Sequence, residues 1–259
     1  MSHDQSQVLA IYPDLKGKTV LISGGATGIG RSLVEAYANQ GAKTAFVDMD
    51  EDQGKQLESE LLSQGHDVRF TPCDITDQER YQTVINHVSE YFGSIQVLLN
   101  NAANDVRHSL DTITSDSFDD LISVNLKHSL FAAQAVIPMM RNAGGGSIIN
   151  FGSVGWMMAS AGYPIYAASK AATHGLTRGL ARDLGAYSIR VNTLVPGWVM
   201  TEKQLKLWVD DDARKLIQRS QCLRGSLKPE HIAQMALFLG ANASSMCSAQ
   251  NFIVDGGWV

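Results

Sequence analysis

Short runs rich in β-branched residues alternate along this chain with longer segments of helical periodicity. That order admits few folds other than a parallel sheet covered by helices on both faces. The expected strands are Lys18–Ser23, Lys43–Asp48, Asp67–Thr71, Ile95–Asn100, Gly146–Phe151, Ile189–Leu194 and Asn251–Asp255. Between them the periodicity predicts helices over Gly28–Gln40, Asp52–Gln64, Asp77–Phe92, a long Ser117–Arg141, a second long Pro164–Leu184, and Pro229–Leu239. No internal repeat or Pro/Gly-rich linker divides the 259 residues, so one domain is expected, with residues 1–10 as a loose arm. The alternation lapses over 196–227, which carries Trp198 and Trp208; a long excursion of that kind is a functional lid or a packed insertion.

Composition narrows the function classes. Hydrophobic residues make up 44% and charged residues 18%, enough apolar material for one large core. With 21 basic against 26 acidic side chains the formal charge is −5, which offers no basic field for nucleic acid or an anionic membrane. The three cysteines, Cys73, Cys222 and Cys247, form no Cys-x-x-Cys pair, and the seven histidines show no ligand spacing. Neither a disulfide framework nor a metal site is therefore expected. The N-terminus is polar, and no run approaches the roughly 20 apolar residues of a membrane span. A cytoplasmic protein without a membrane partner is the expectation.

After the first expected strand comes Ser23-Gly24-Gly25-Ala26-Thr27-Gly28-Ile29-Gly30, which opens directly into a helix. Glycines there let a turn take unusual dihedrals and bring backbone amides close to a pyrophosphate, whose charge the helix N-terminus favours. About twenty residues on, Asp48 ends the second strand, where a carboxylate can accept from both adenosine ribose hydroxyls; a helix N-cap is its other reading. The turn reads as a dinucleotide site of Rossmann type. Asp48, without a nearby arginine, points to NAD rather than NADP, because a carboxylate repels an added 2′-phosphate.

A second constellation lies downstream. Tyr166 and Lys170 are four apart and share one face of the second long helix, and Ser153 stands thirteen residues before Tyr166, just after a strand. A phenol is a poor base at neutral pH, but an adjacent ammonium and a positive nicotinamide both favour the phenolate. Asn125 lies in Ser-Val-Asn-Leu within the first long helix. Taken alone, each has a plainer reading: a solvated lysine, or a satisfied interior amide.

Together these segments resemble the short-chain dehydrogenase/reductase family, whose cofactor turn is Gly-x-x-x-Gly-x-Gly, and the resemblance runs from about Leu15 to Gly257. It implies a catalytic set of Asn125, Ser153, Tyr166 and Lys170, with Asn125 anchoring a water beside the lysine. It also implies cofactor contacts from Gly24, Thr27, Gly28, Ile29, Gly30, Asp48, Asp74, Ile75, Asn101, Ala102, Tyr166, Lys170, Pro196, Val199 and Thr201. Two positions depart from the pattern. Ser23 stands where the family has Thr, and Ala103 stands where Asn100-Asn101-Ala102 is followed by Gly, which puts pressure on the nicotinamide side.

Within the family the chain resembles the sugar 1-dehydrogenases, through Ile11-Tyr12-Pro13, Asn104-Asp105-x-Arg107-His108, Asn150-Phe151-Gly152-Ser153 with Trp156, and Gln221-Cys222-Leu223. This implies hydride transfer from C1 of a free aldose to NAD, giving the lactone, in a homotetramer. The expected substrate contacts are Asn104, Arg107, His108, Asn150, Ser153, Trp156, Tyr166, Trp198 and Gln221, although Asp105 and Arg107 could equally form a surface ion pair. The alternatives are a dehydrogenase of a sugar acid in which Arg107 clamps a carboxylate, a 3-oxoacyl reductase, and a catalytically silent dinucleotide-binding regulator.

Overall fold

A computed structural model describes residues 10–259, so all but the last residue of the expected N-terminal arm lies outside the described part. Seven parallel strands form one sheet in the order β3-β2-β1-β4-β5-β6-β7. They are β1 (Thr19–Ser23), β2 (Lys43–Asp48), β3 (Val68–Pro72), β4 (Ile95–Asn100), β5 (Gly146–Phe151), β6 (Ile189–Pro196) and β7 (Asn251–Val254). The central strands are buried on both faces, as their unbroken apolar runs require in a sheet covered twice.

One face is sealed by α1 (Gly28–Asn39) and α9 (Pro229–Gly240), which pack on Ile22, Leu99 and Leu194. On the other, α3 (Gln78–Phe92), α5 (His128–Asn142) and α6 (Pro164–Leu184) bury Leu21, Leu98, Ile148 and Val191. Tyr37 of α1 is fully buried and donates to Ala236 O of α9 at 2.7 Å, which ties the two helices of the first face together. α2 (Glu51–Ser63) lies on β3, with Gly54 so close to Phe70 that no side chain fits between them. No helix among the described residues is long and apolar enough to cross a membrane.

Aspartates set two helix starts one residue away from expectation. Asp50 Oδ1 accepts from Gln53 N at 3.1 Å and Asp77 Oδ1 from Arg80 N at 3.0 Å, so these residues are caps and not first-turn members. The larger difference concerns the first long helix. It starts earlier, capped by Thr114, and divides into α4 (Ser115–Ile122), a single π turn over Ser123–Lys127, and α5. Such widened turns carry a backbone cost and recur at functional sites. Here the turn contains the buried Asn125.

β1 hydrogen-bonds to β2 on one side and β4 on the other, and the chain's crossovers diverge from there. At such a switch point the loops leaving the C-terminal strand ends part and leave a crevice. The expected excursion after β6 fills the outer side of that crevice with α7 (Glu202–Leu207) and α8 (Asp211–Ser220).

Candidate active site

The crevice is an open cleft of about 1190 Å³ that runs from Asp48 at one end to Tyr166 and Lys170 at the other. Its floor is the turn after β1. Gly24 N and Gly25 N both donate to Val47 O, at 2.8 and 3.1 Å, and Ala26 N donates to Asp48 Oδ2 at 2.9 Å, pinning the turn to β2. From the other side Asn101 Nδ2 donates to Ser23 O and Gly24 O, while Ser23 Oγ accepts from Asn101 N and Ala102 N. Ser23 thus keeps the hydroxyl that this junction uses. Gly24 has φ +68°, and a methyl on it would stand 2.8 Å from Ala102 Cα; Gly28 has φ +55° at the start of α1. Both positions favour glycine on backbone grounds alone.

Every position assigned above to the dinucleotide lines this one cleft. The residues fit a dinucleotide: bare turn and α1 N-terminus at the middle, a carboxylate at one end, and a phenol and an amine at the other. No lysine or arginine lines the cleft beside Asp48; its basic lining residues are Arg107, Lys170, Lys203 and Lys206. Asp48 Oδ1 also accepts from Asp50 N, so the carboxylate organises the β2 end as well as facing the cleft. Ala103, the departure from the family pattern, is exposed at the cleft wall.

At the inner end, Ser153 follows β5, and its Oγ accepts from Gly155 N at 3.1 Å. The Ser153 hydroxyl favours the ionised form of the Tyr166 phenol, and both side chains line the cleft. Lys170, one turn further along α6, is buried and donates from Nζ to Phe151 O at 2.8 Å, with Nζ 5.6 Å from the Tyr166 ring centre. Burial brings the lysine down to about 8, opposed by the charge of Asp105. Burial also raises the Tyr166 phenol above its ordinary value; Asp105 and Tyr163 push the same way, and Ser153 and Arg107 push back. In the protein alone desolvation therefore outweighs the groups that favour the phenolate, contrary to the simple expectation from a neighbouring ammonium.

Asn125 does not line the cleft. Its Oδ1 accepts from Asn104 N at 2.9 Å and its Nδ2 donates to Asn104 O at 3.0 Å, so the π turn presents an amide that clamps the loop after β4. Behind it, His128 is fully buried with its pKa brought down to about 3, chiefly by burial and secondarily by Lys170. The imidazole is neutral next to the buried amine.

The expected substrate contacts divide. Asn104, Arg107, Ser153, Tyr166 and Trp198 line the cleft. Asn150 does not: it is fully buried on the α6 side of β5, where Nδ2 donates to Thr177 Oγ1 at 3.0 Å and Oδ1 accepts from Asn100 Nδ2 at 2.8 Å. Strand alternation sends its neighbours Ile149 and Phe151 to the opposite core, which leaves Asn150 no route to the cleft. His108 is likewise a structural tie. Ile165 N donates weakly to its Nε2, which makes Nδ1 the protonated nitrogen that donates to Val106 O at 3.1 Å. Trp156 stands edge-on to His174, 5.1 Å between centres, and Gln221 packs under Gly256; neither lines the cleft.

Asp105 and Arg107 do not pair with each other. Asp105 accepts from Lys203 Nζ at 2.7 Å and Gln204 Nε2 at 2.8 Å; burial opposes its ionisation, but these partners hold the carboxyl below the ordinary value. Arg107 lies 3.8 Å over the Tyr163 ring and 5.1 Å from that of Trp208. Sequence reasoning missed Tyr163, Lys203 and Gln204, which carry no motif. The signals were the lapse of regular alternation after Pro196 for Lys203 and Gln204, and for Tyr163 the weakening of the family resemblance over Gly155–Ile165.

The chain is similar to known proteins over nearly its whole length. A short-chain dehydrogenase profile described as "Enoyl-(Acyl carrier protein) reductase" matches residues 24–259. A D-xylose 1-dehydrogenase of Caulobacter vibrioides is 41% identical over 249 residues, covering 96% of this chain and 98% of that protein. A "Probable galactose dehydrogenase" of Rhizobium meliloti is 40% identical over 247 residues, covering 95% and 96%. Among solved structures, a gluconate 5-dehydrogenase of Burkholderia cenocepacia in complex with NADP and tartrate superposes with a TM-score of 0.87 at 30% identity, covering 94% of this chain and 95% of that one. With the profile and these relatives spanning nearly its whole length, and a cofactor turn, serine, tyrosine and lysine placed around one cleft, the chain belongs to the short-chain dehydrogenase/reductase family, whose dehydrogenases use a nicotinamide dinucleotide.

Proposed function

We propose that the protein oxidises a free aldose at C1 to its lactone with NAD. The observation that carries the reading is the convergence of Ser153, Tyr166 and buried Lys170 at the inner end of a cleft whose outer end is Asp48. When bound, the nicotinamide supplies the acceptor for the hydride from C1. The chain's own residues do the rest. Ser153 Oγ holds the C1 oxygen, Tyr166 Oη takes its proton, and Lys170 keeps a positive charge close by in a medium where charge acts strongly. Asp48 favours NAD, because a carboxylate repels an added 2′-phosphate.

The aldose is supported by the D-xylose and galactose relatives and by the polar wall that Asn104, Arg107 and Gln204 give the cleft. A site built for hydroxyls rejects analogues lacking them far more strongly than an apolar pocket does. A second reading, oxidation of a sugar acid, is favoured by Arg107: it lines the cleft, and no carboxylate among the described residues forms an ion pair with it. The gluconate 5-dehydrogenase relative supports the same alternative. By family resemblance the enzyme is a cytoplasmic homotetramer, an assembly that light scattering reads directly. The deciding experiment follows reduced-nicotinamide absorbance with NAD or NADP against neutral pentoses and hexoses, uronates and aldonates. Turnover of neutral aldoses with lactone as product supports the proposal; turnover of carboxylated sugars alone would transfer it to the second reading.

A further inference from the structure

α7 has nothing of its own to pack on. It is six residues long, none is buried, and Leu205 and Leu207 are exposed. A helix of that length does not hold itself together in water. Buried Val199 and Val209 anchor the chain on either side of it, and between them its place is set by polar ties. Thr201 Oγ1 caps it by accepting from Gln204 N at 3.3 Å. Lys203 and Gln204 then reach both oxygens of Asp105, a residue 98 and 99 positions earlier on the loop after β4. Gln204 Oε1 also accepts from Trp198 Nε1 at 3.0 Å, so a single amide joins the carboxylate to an indole of the cleft wall. Just beyond α7, Trp208 receives the guanidinium of Arg107, which lies over Tyr163, and Tyr163 meets Tyr166 edge-on with ring centres 5.4 Å apart.

We infer that Asp105 is a positioning residue: by holding Lys203 and Gln204 together it clamps α7 across the reacting end of the cleft, so that Trp198 and Gln204 form a fixed wall of the sugar site. An exposed ion pair contributes little, but this carboxylate is 22% exposed and accepts two hydrogen bonds, one of them from a cation. The wall it fixes has no apolar anchor on α7 to replace it.

The clamp is tested in the full-length protein by hydrogen–deuterium exchange of the peptide spanning 200–209. Asp105→Ala should speed its exchange by about tenfold or more, with α9 and the central strands unchanged. Asp105→Asn, which keeps an acceptor for Gln204 and loses the charge, should fall between. The double variant Lys203→Met/Gln204→Leu changes only α7 side chains, and it should reproduce the Asp105→Ala pattern without touching the β4 loop. Unaltered exchange of 200–209 in that double variant, or loosening of α9 equal to that of α7 in Asp105→Ala, overturns the clamp. A kinetic arm rests on the aldose reading: Asp105→Ala should raise KM for the sugar about tenfold while kcat changes much less. Equal loss in kcat and kcat/KM counts against a positioning role. The exchange arm needs no substrate, so failure of the aldose reading and failure of the clamp give different results.

Discussion

Replacing Lys170 by methionine should make the protein more stable at neutral pH while removing its activity. Lys170 is 2% exposed, and its amine makes one hydrogen bond, to Phe151 O, and has no ion-pair partner among the described residues. Burial lowers its pKa from 10.5 to about 8. Below pH 8 the side chain is protonated in both folded and unfolded chains, and the folded state carries the full cost of the buried charge. At about 1.4 kcal/mol per pH unit, that interval amounts to about 3 kcal/mol. Between pH 8 and 10.5 the folded chain loses its proton first, so the cost is progressively relieved and is under about 1 kcal/mol by pH 10. Methionine fills similar space without charge, but it forfeits the bond to Phe151 O, which subtracts about 1–2 kcal/mol at every pH. The net expectation at pH 7 is a gain of about 1–2 kcal/mol, or a Tm higher by a few degrees for a chain of this size. The assay is thermal unfolding of both proteins, without dinucleotide, at pH 7 and pH 10. Because the hydrogen-bond contribution does not titrate, the advantage of the variant over the parent should shrink by about 2 kcal/mol between the two pH values. An advantage that is the same at both would falsify the account of Lys170 as an uncompensated buried cation.

Tyr166→Phe should lower kcat by about a thousandfold with little change in dinucleotide Kd, since only the proton acceptor is lost; substantial remaining turnover removes Tyr166 from its role. Because burial holds the phenol above its ordinary value, the oxidation rate should climb with pH through the alkaline range, and a rate flat from pH 7 to 10 counts against Tyr166 as the base. Asp48→Ala should narrow the ratio of NAD to NADP kcat/KM, whereas an unmodified protein that prefers NADP contradicts the role given to Asp48. Gly54→Ala drives a methyl into the Phe70 ring and should cost about 1–3 kcal/mol in denaturant unfolding. Asn150→Ala should lower stability by about 1–3 kcal/mol and leave the rank order of sugars unaltered, as befits an amide in the Thr177 network; a changed order would return Asn150 to the substrate site.

The parts of this protein that are legible in its amino-acid sequence are those whose signals are local. A strand buried on both faces writes itself as a short apolar run, and a turn that must bare its backbone writes itself as Gly24 and Gly28 at fixed offsets from a strand and a helix. Tyr166 and Lys170 are readable because four residues along a helix is one turn, a distance that does not depend on what the helix packs against.

Other features depend on packing between distant segments. Asn150 and Ser153 lie three residues apart, yet strand alternation buries one in the α6-side core and the turn after β5 delivers the other to the cleft. Nothing in Ser-Val-Asn-Leu announces the π turn, because a widened turn persists only where surrounding contacts, here those of Asn125 with Asn104, compensate for it. The pairing of Asp105 with Lys203 and Gln204 spans nearly a hundred positions and has no period or motif. A solvated charge and a clamp have the same letter in the sequence; the fold makes the difference by bringing the loops after β4 and β6 to the same end of the sheet, where a half-buried carboxylate meets two donors that a six-residue helix could not otherwise hold in place.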